Sequence, residues 1–147
     1  MLVVPQDARV RQGDAETERP MKIKLSSVIV QDQDHALRFY TEILGFVKAQ
    51  DIPMGPFRWI TLVSPEGSTD VELVLEPNAN PAARVYQEAL HGQGIPLTAF
   101  AVDDDHREYD RLTRLGVAFY TPPTRTGSTI IAVFDDTCGN LIQIFEG

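Results

Sequence analysis

The chain of 147 residues contains an imperfect internal repeat, and this repeat restricts the folds open to it. Residues 30–46 return, with changes, as residues 102–117, at an offset of 72 where the stretch begins and 71 where it ends. Residues 63–74 return as residues 135–145, at an offset of 72 where the stretch begins and 71 where it ends. Two copies are too few for a solenoid. We therefore expect two similar modules that share a sheet or a cavity.

Both halves of the chain show the same order of apolar patterns. The first half predicts strands at residues 23–30, 46–50, 57–64 and 71–76, with one helix between Asp32 or Asp34 and Gly45. The second half predicts strands at residues 97–102, 118–121, 129–134 and 141–146, a helix at residues 103–115 and a Pro/Gly-rich loop at residues 122–127. The sequence thus predicts an α+β fold of two tandem βαβββ modules.

The domain boundaries follow from this pattern. We expect one domain at residues 21–147, with modules at residues 21–77 and 95–147 and a connector at residues 78–94 that contains a short helix. Residues 1–20 are rich in charged side chains and lack an apolar run, which predicts a disordered extension and no secretory signal.

The composition excludes several classes of function. A net charge of −8 offers nothing to neutralise phosphates, so no nucleic-acid partner is expected. No stretch approaches the roughly 20 apolar residues of a membrane helix. Cys138 is the lone cysteine, which rules out an internal disulfide and favours the reducing cytoplasm.

Two motifs resemble those of the vicinal oxygen chelate superfamily, which contains glyoxalase I, bleomycin-resistance proteins and extradiol dioxygenases. The first runs from a strand into V-x-D-x-x-x-A-x-x-F-Y-x-x-x-L-G-F at residues 30–46, and the second is D-x-x-G-x-x-I-x-I at residues 136–144. The resemblance covers residues 21–147. It implies that each module curls into half a barrel around a ligand cavity, and that the protein is a homodimer.

Metal-dependent members of the superfamily hold the ion with four side chains, typically His, Glu, His and Glu, from the first and last strands of each module. The resemblance places Leu25, Glu72, Leu97 and Gln143 at these positions, and the repeat pairs Leu25 with Leu97 and Glu72 with Gln143. A leucine has no lone pair, and two oxygens are fewer than the three protein ligands of catalytic zinc. We therefore predict no metal site and no cofactor, and a divalent metal is disfavoured.

Alternation along the last strand of each module predicts that Glu72 and Gln143 face inward, away from the helices. A buried carboxylate there would serve as a general base or as an anchor for a cation or hydroxyl, and the amide would polarise a carbonyl. Further ligand-binding residues are predicted on the inward strands and beside the loop, which would act as a lid: Leu25, Ser27, Phe57, Trp59, Leu97, Tyr120, Arg125 and Phe145.

Three functions remain open at this point. The first is a cavity that binds a small, cationic or aromatic molecule without a metal. The second is a lyase, isomerase or dioxygenase of the glyoxalase type, with Glu72 as base or metal ligand. The third is a non-catalytic dimer whose cavity is filled by its own side chains. We rank binding first because Leu25 and Leu97 replace metal ligands.

Overall fold

The computed structural model describes residues 2–8, 20–67 and 69–147. Module 1 contains β1 (Leu25–Val30), α1 (Gln33–Arg38) with a following π-helical turn (Phe39–Ile43), β2 (Val47–Met54), β3 (Phe57–Val63) and β4 (Glu72–Pro77). The connector forms α2 (Pro81–Gly92). Module 2 contains β5 (Thr98–Val102), α3 (Asp105–Arg114), β6 (Phe119–Thr126), β7 (Thr129–Asp135) and β8 (Leu141–Glu146).

The two module helices begin and end alike, as the repeat predicts. The carboxylate of Asp32 accepts the His35 backbone N–H at 3.0 Å, and that of Asp104 accepts the Arg107 backbone N–H at 3.0 Å. Each cap satisfies a backbone donor that a helix start leaves without a partner. The chain leaves both helices through a glycine, Gly45 or Gly116, with φ of +89°.

Each module forms a four-stranded sheet, in the orders β1-β4-β3-β2 and β5-β8-β7-β6. The pairs β1–β4 and β5–β8 are parallel, and the remaining pairs are antiparallel. The helix-facing sides of the two sheets contribute to one apolar core. Across the module boundary, the Phe100 ring lies edge-on to Tyr40 at 6.5 Å and to Phe46 at 5.1 Å. The predicted α+β fold of two βαβββ modules is confirmed.

The predicted lid at residues 122–127 is wrong. Residues 119–126 form one strand, β6, which continues to a tight hairpin with β7, where Thr126 pairs with Thr129. Pro122 and Pro123 are tolerated because β6 is the edge of its sheet and a proline there need not donate to a neighbour.

The repeat is also out of register on the last strands. Thr61 pairs with Val74 in module 1, and Val133 pairs with Gln143 in module 2, so Gln143 corresponds to Val74 rather than to Glu72. The cause is the loop before each last strand, which spans residues 64–71 in module 1 but only residues 136–140 in module 2. The three extra residues change the offset from 72 to 69 after the loop.

A buried polar network joins the two modules. The Tyr40 hydroxyl of module 1 donates to the Asp136 carboxylate of module 2 at 2.6 Å. The Asn140 amide donates to the Ile29 carbonyl at 2.7 Å and to Asp136 at 2.8 Å. Burial raises the pKa of Asp136 even though these bonds favour its charged form. The same burial, with the charge of Asp136, raises the pKa of the Cys138 thiol well above its ordinary value.

The predicted disordered extension falls largely on residues 1 and 9–19, which lie outside the described residues. Among the residues that the structure describes, no helix is long and apolar enough to cross a membrane.

Candidate functional site

The candidate site lies on the face of the module 1 sheet that points away from α1. We call it the module 1 inner face and define it by residues that alternate with the core residues of their strands: Leu25, Ser27, Trp59, Thr61, Glu72, Val74 and Glu76. All but Leu25 and Ser27 are buried. Glu is rarely buried unless it is paired, so two buried Glu side chains on one face are unusual.

Glu72 and Glu76 accept hydrogen bonds through one oxygen each. Oε1 of Glu72 accepts the Thr61 hydroxyl at 2.7 Å and the Gln50 amide at 2.9 Å. Oε1 of Glu76 accepts the Ser27 hydroxyl at 3.2 Å. A carboxylate offers about four acceptor positions on two oxygens. Both side chains therefore keep acceptor capacity for a donor that a ligand supplies.

Trp59 is 2% exposed, and its indole N–H has no hydrogen-bond partner among the described residues. It belongs to the same face as Thr61, two residues further along β3. A buried donor without an acceptor costs about 1–3 kcal/mol. Native proteins seldom leave such a group unpaired, so each case requires an explanation.

A cavity of about 260 Å³ lies at the boundary of the two modules, and Glu72 is the one residue of the module 1 inner face that lines it, beside core residues such as Leu62 and Leu73. Glu72 and Val63 line it from module 1, Thr98 and Ala99 line it from β5, and we call it the seam cavity. Phe46 and Phe100, which form the edge-on pair across the boundary, also line it. Glu72 is thus within reach of a small molecule that enters between the modules.

The four superfamily ligand positions do not fit a metal ion. Leu25 lies opposite Glu72 on β1, whereas Gln143 lies opposite Ala99 on β5, and the Leu97 backbone N–H donates to the Leu141 carbonyl at 2.8 Å. The donor set is one carboxylate and one amide, and they belong to different sheets. Within the described ranges, no three His, Cys, Asp or Glu side chains gather closely enough to hold a metal ion.

The structure brings together some of the predicted site residues. Ser27, Trp59 and Glu72 share the module 1 inner face. Gln143 and Phe145 share the corresponding face of module 2 with Ala99 and Ala101. The seam cavity includes Glu72 but not Gln143, and no hydrogen bond joins the two in the single chain.

The remaining candidates lie elsewhere. Tyr120 and Arg125 are exposed on β6, the edge strand of module 2, and the Tyr120 hydroxyl packs against Gly94. Phe57 lines a separate shallow pocket with Gln33 and Arg58, near the start of α1. Tyr120 and Arg125 were expected to be near the ligand because they flank a predicted lid, and that segment is a strand, whereas Phe57 was expected there because it lies on β3 with Trp59.

Sequence reasoning missed the partners of Glu72. Thr61 and Gln50 donate to it, whereas Ser27, which donates to Glu76, was a predicted site residue. Alternation from Trp59 would have placed Thr61 on the inner face. Gln50 had no such signal, because an irregularity in the β2–β3 pairing between Lys48 and Gln50 breaks the alternation.

Comparisons with known proteins agree with this fold. The chain is 59% identical over 126 residues to the uncharacterized protein YurT of Bacillus subtilis (strain 168), covering 86% of this chain and 99% of that one. The structure matches UcmS2 with a TM-score of 0.75 and 28% identity, covering 88% of this chain and all of UcmS2. It matches TnmS3, an antibiotic binding protein from Streptomyces sp. CB03234, with a TM-score of 0.69 and 30% identity over 88% of this chain and 98% of TnmS3. The family model described as Glyoxalase/Bleomycin resistance protein/Dioxygenase superfamily matches residues 22–144, and the chain therefore belongs to this superfamily.

Proposed function

We propose that this protein binds a small organic molecule at the module 1 inner face, without the metal ion of its catalytic relatives. The observation that carries the proposal is the buried indole N–H of Trp59, which has no acceptor among the described residues. A ligand that offers a carbonyl or ether oxygen to this N–H would remove the cost of the unpaired donor.

The other groups on this face define what else the ligand carries. Glu72 and Glu76 retain acceptor capacity, so an ammonium or hydroxyl group on the ligand suits them. The Trp59 ring is 2% exposed in the single chain, so an aromatic ring or a cation on the ligand would contact it only where the face opens. The proposed ligand is therefore a ring compound with both an oxygen acceptor and an amine.

The relatives support the same class of function. TnmS3 is an antibiotic binding protein, and this chain is similar to it over nearly its full length. We propose by extension that the bound molecule is antibiotic-like, and that the protein sequesters it in the cytoplasm.

The lone tryptophan makes the proposal directly measurable, because excitation near 295 nm reports Trp59 alone. Doxorubicin serves as the probe, since it combines an anthraquinone with an amine. Anthraquinone-2-sulfonate, which has the same ring system and the opposite charge, serves as the control. We expect saturable quenching by doxorubicin and at least about tenfold weaker binding of the sulfonate.

Two variants locate the binding. Glu72→Gln keeps the shape of the side chain and its acceptor for Thr61, and we expect it to weaken doxorubicin binding about tenfold, as for one lost ion pair. Glu66→Gln removes the same charge from the exposed loop between β3 and β4 and leaves binding unchanged. Equal affinity of wild type and Glu72→Gln would place the ligand elsewhere.

The metal-free part of the proposal has its own test. Elemental analysis of purified protein should find nickel, zinc, iron and manganese far below one ion per chain. A stoichiometric ion that Glu72→Gln removes would contradict the proposal. Failure of every ring compound to bind would instead favour a cavity filled by its own side chains.

A further inference from the structure

The helix of each module faces a loop of the other module, and the two junctions differ. At the first junction, α1 contacts the loop between β7 and β8. The Tyr40 hydroxyl donates to the Asp136 carboxylate at 2.6 Å, and Nε2 of His35 lies 2.8 Å from Oγ1 of Thr137. We call this contact, defined by these four residues, the closed junction.

At the second junction, α3 faces the loop between β3 and β4 across a cavity of about 390 Å³. We call this cavity the open junction. Ser64 and Glu66 line it from the loop, and Arg107 and Leu112 line it from α3. Among the residues that the structure describes, no hydrogen bond or ion pair joins this loop to α3. The repeat thus closes one junction and leaves the other open.

A tyrosine fills the closed junction, whereas the repeat has a leucine at the equivalent position. The Tyr40 carbonyl accepts the Phe46 N–H and the Leu112 carbonyl accepts the Val117 N–H, both at 3.0 Å. Tyr40 and Leu112 therefore occupy equivalent places on α1 with its π-helical turn and on α3, and they are 0% and 1% exposed. Because leucine has no phenol ring, the second module lacks the group that fills the first junction.

Ser64 occupies the position in the open junction that Asp136 has in the closed one. Thr61 on β3 and Val133 on β7 are equivalent, because they pair with equivalent residues of the last strands, and the two loop residues follow them by three positions. Asp136 accepts the Tyr40 hydroxyl, whereas the Ser64 hydroxyl makes no hydrogen bond within the described ranges. A polar group thus remains where a phenol oxygen would end.

The floor of the open junction is apolar and aromatic. Phe46 and Phe100, whose ring centroids are 5.1 Å apart, line it together with Leu112. The Tyr40 ring of the closed junction lies against the same two rings, at 6.4 Å from Phe46 and 6.5 Å from Phe100. An aromatic ring in the cavity would therefore find the neighbours that Tyr40 has.

The mouth of the open junction is acidic. It has three carboxylates without an ion pair in the described part of the chain and one guanidinium: Glu66, Asp103, Asp104 and Arg107. Glu108 also lines the cavity, but Arg111 neutralises it. The surplus of negative charge favours a cation over an anion at the mouth.

We propose that the open junction is a second binding site, separate from the module 1 inner face, for a phenol that carries an amine. The ring takes the space that tyrosine fills in the closed junction, and the hydroxyl donates to Oγ of Ser64. The ammonium group lies at the mouth beside Asp103. A cavity of about 390 Å³ is near the lower end of the range for ligand sites, so it suits a single ring.

Tyramine, which combines the phenol with an ammonium, is the probe. It is titrated into the isotope-labelled full chain and followed by NMR. We expect saturable shifts of the Glu66, Phe100 and Arg107 amides, with a dissociation constant of about 0.1–1 mM for a ligand of roughly ten non-hydrogen atoms. The Trp59 indole signal should not move. Phenethylamine, which lacks the hydroxyl, and para-hydroxyphenylacetate, which has the opposite charge, should each bind at least about threefold more weakly.

Three variants locate the site. Leu112→Tyr supplies the side chain that the closed junction holds and should abolish tyramine binding. Leu115→Tyr, the matched control, makes the same change at an exposed leucine after α3 and should leave binding unchanged. Ser64→Ala removes the acceptor at an exposed position and should weaken binding about threefold, which makes the test independent of whether Leu112→Tyr folds.

No shifts at tyramine concentrations up to about 10 mM would overturn the proposal. Equal affinity of the wild type and Ser64→Ala, or of the wild type and a folded Leu112→Tyr, would also overturn it. Binding that Glu72→Gln abolishes while Ser64→Ala preserves it would place the molecule in the seam cavity, which Glu72 lines, and would equally contradict a second site. Doxorubicin binding is measured separately through Trp59, so failure at either site is distinguishable from failure at the other.

Discussion

Asp105 should make this protein less stable at neutral pH than at acidic pH. It is the first residue of α3, it is 0% exposed, and neither carboxylate oxygen has a hydrogen-bond partner among the described residues. Its backbone N–H donates to Glu146 at 3.0 Å, which brings a second carboxylate close. Burial and then the charge of Glu146 raise the pKa of Asp105 to about 6.

The internal repeat shows what this position otherwise holds. The first residue of α1 is Gln33, whose amide donates to the Arg58 carbonyl at 2.6 Å and the Leu75 carbonyl at 2.9 Å. Its oxygen accepts the Arg58 N–H at 3.0 Å. A carboxylate lacks the donors for such bonds, so Asp105 replaces a bonded amide by an unpaired charge.

The magnitude follows from the pKa of Asp105. A rise from 3.8 to about 6 corresponds to about 3 kcal/mol, at roughly 1.36 kcal/mol per pKa unit. The folded state binds the proton more tightly than the unfolded state. The free energy of unfolding therefore falls as the pH rises from about 4 to about 6, and the loss is complete above that range.

Asp105→Asn removes the ionisation and should be measured by urea unfolding at about pH 4 and pH 8. We expect the difference in free energy of unfolding between the variant and wild type to be about 3 kcal/mol more favourable to the variant at pH 8 than at pH 4. Any cost of burying the amide is the same at both pH values, so it cancels from this difference. Asp103→Asn, at an exposed neighbour, is the control. A stability difference that does not change with pH would refute the reasoning, because Asp105 would then be charged with a partner.

Three further predictions concern the junction of the modules and the turns. Tyr40→Phe deletes the donor to the buried Asp136 carboxylate and should lower the free energy of unfolding by about 1–3 kcal/mol in urea titrations, and an unchanged midpoint would show that the bond contributes nothing. Gly139→Ala should lower the thermal midpoint more than Gly67→Ala. Both glycines have φ near +90° to +100°, but only at Gly139 would an added Cβ meet another atom, at 2.7 Å, so equal thermal midpoints would contradict this prediction. The Cys138 thiol should resist alkylation by iodoacetamide in the folded protein at pH 8 and react after unfolding in urea, since burial raises its pKa, and rapid labelling of the folded protein would be inconsistent with its burial.

The sequence was sufficient for the pattern of elements but not for the alignment of the two modules. Caps such as Asp32 and Asp104, and the glycines after the helices, are local signals, and they gave the order of helices and strands. The pairing of Glu72 with Gln143 depended on counting through a loop. Loops tolerate insertions, and the loop before the last strand is three residues shorter in module 2 than in module 1. This difference places Gln143 opposite Ala99.

The candidate site could be predicted from the sequence only in part. Leucines at two of the four superfamily positions are visible in the sequence, and no fold can make them metal ligands. The unpaired N–H of Trp59 is not visible, because it depends on which atoms surround the ring. The exposure of Val85 and Tyr86 on α2 is equally hidden, since the bonds of Gln87 to Ile29 and Asn140 decide which side of the helix faces the modules.

The amino-acid sequence by itself determined the repeated module, the start of each helix and the leucines at two of the four superfamily ligand positions. These features depend on neighbours along the chain or on residue identity alone. The tertiary structure decided the register of the last strands, the burial of Asp105 and the exposure of Val85. The physical reason is that burial and pairing are properties of residues distant in sequence.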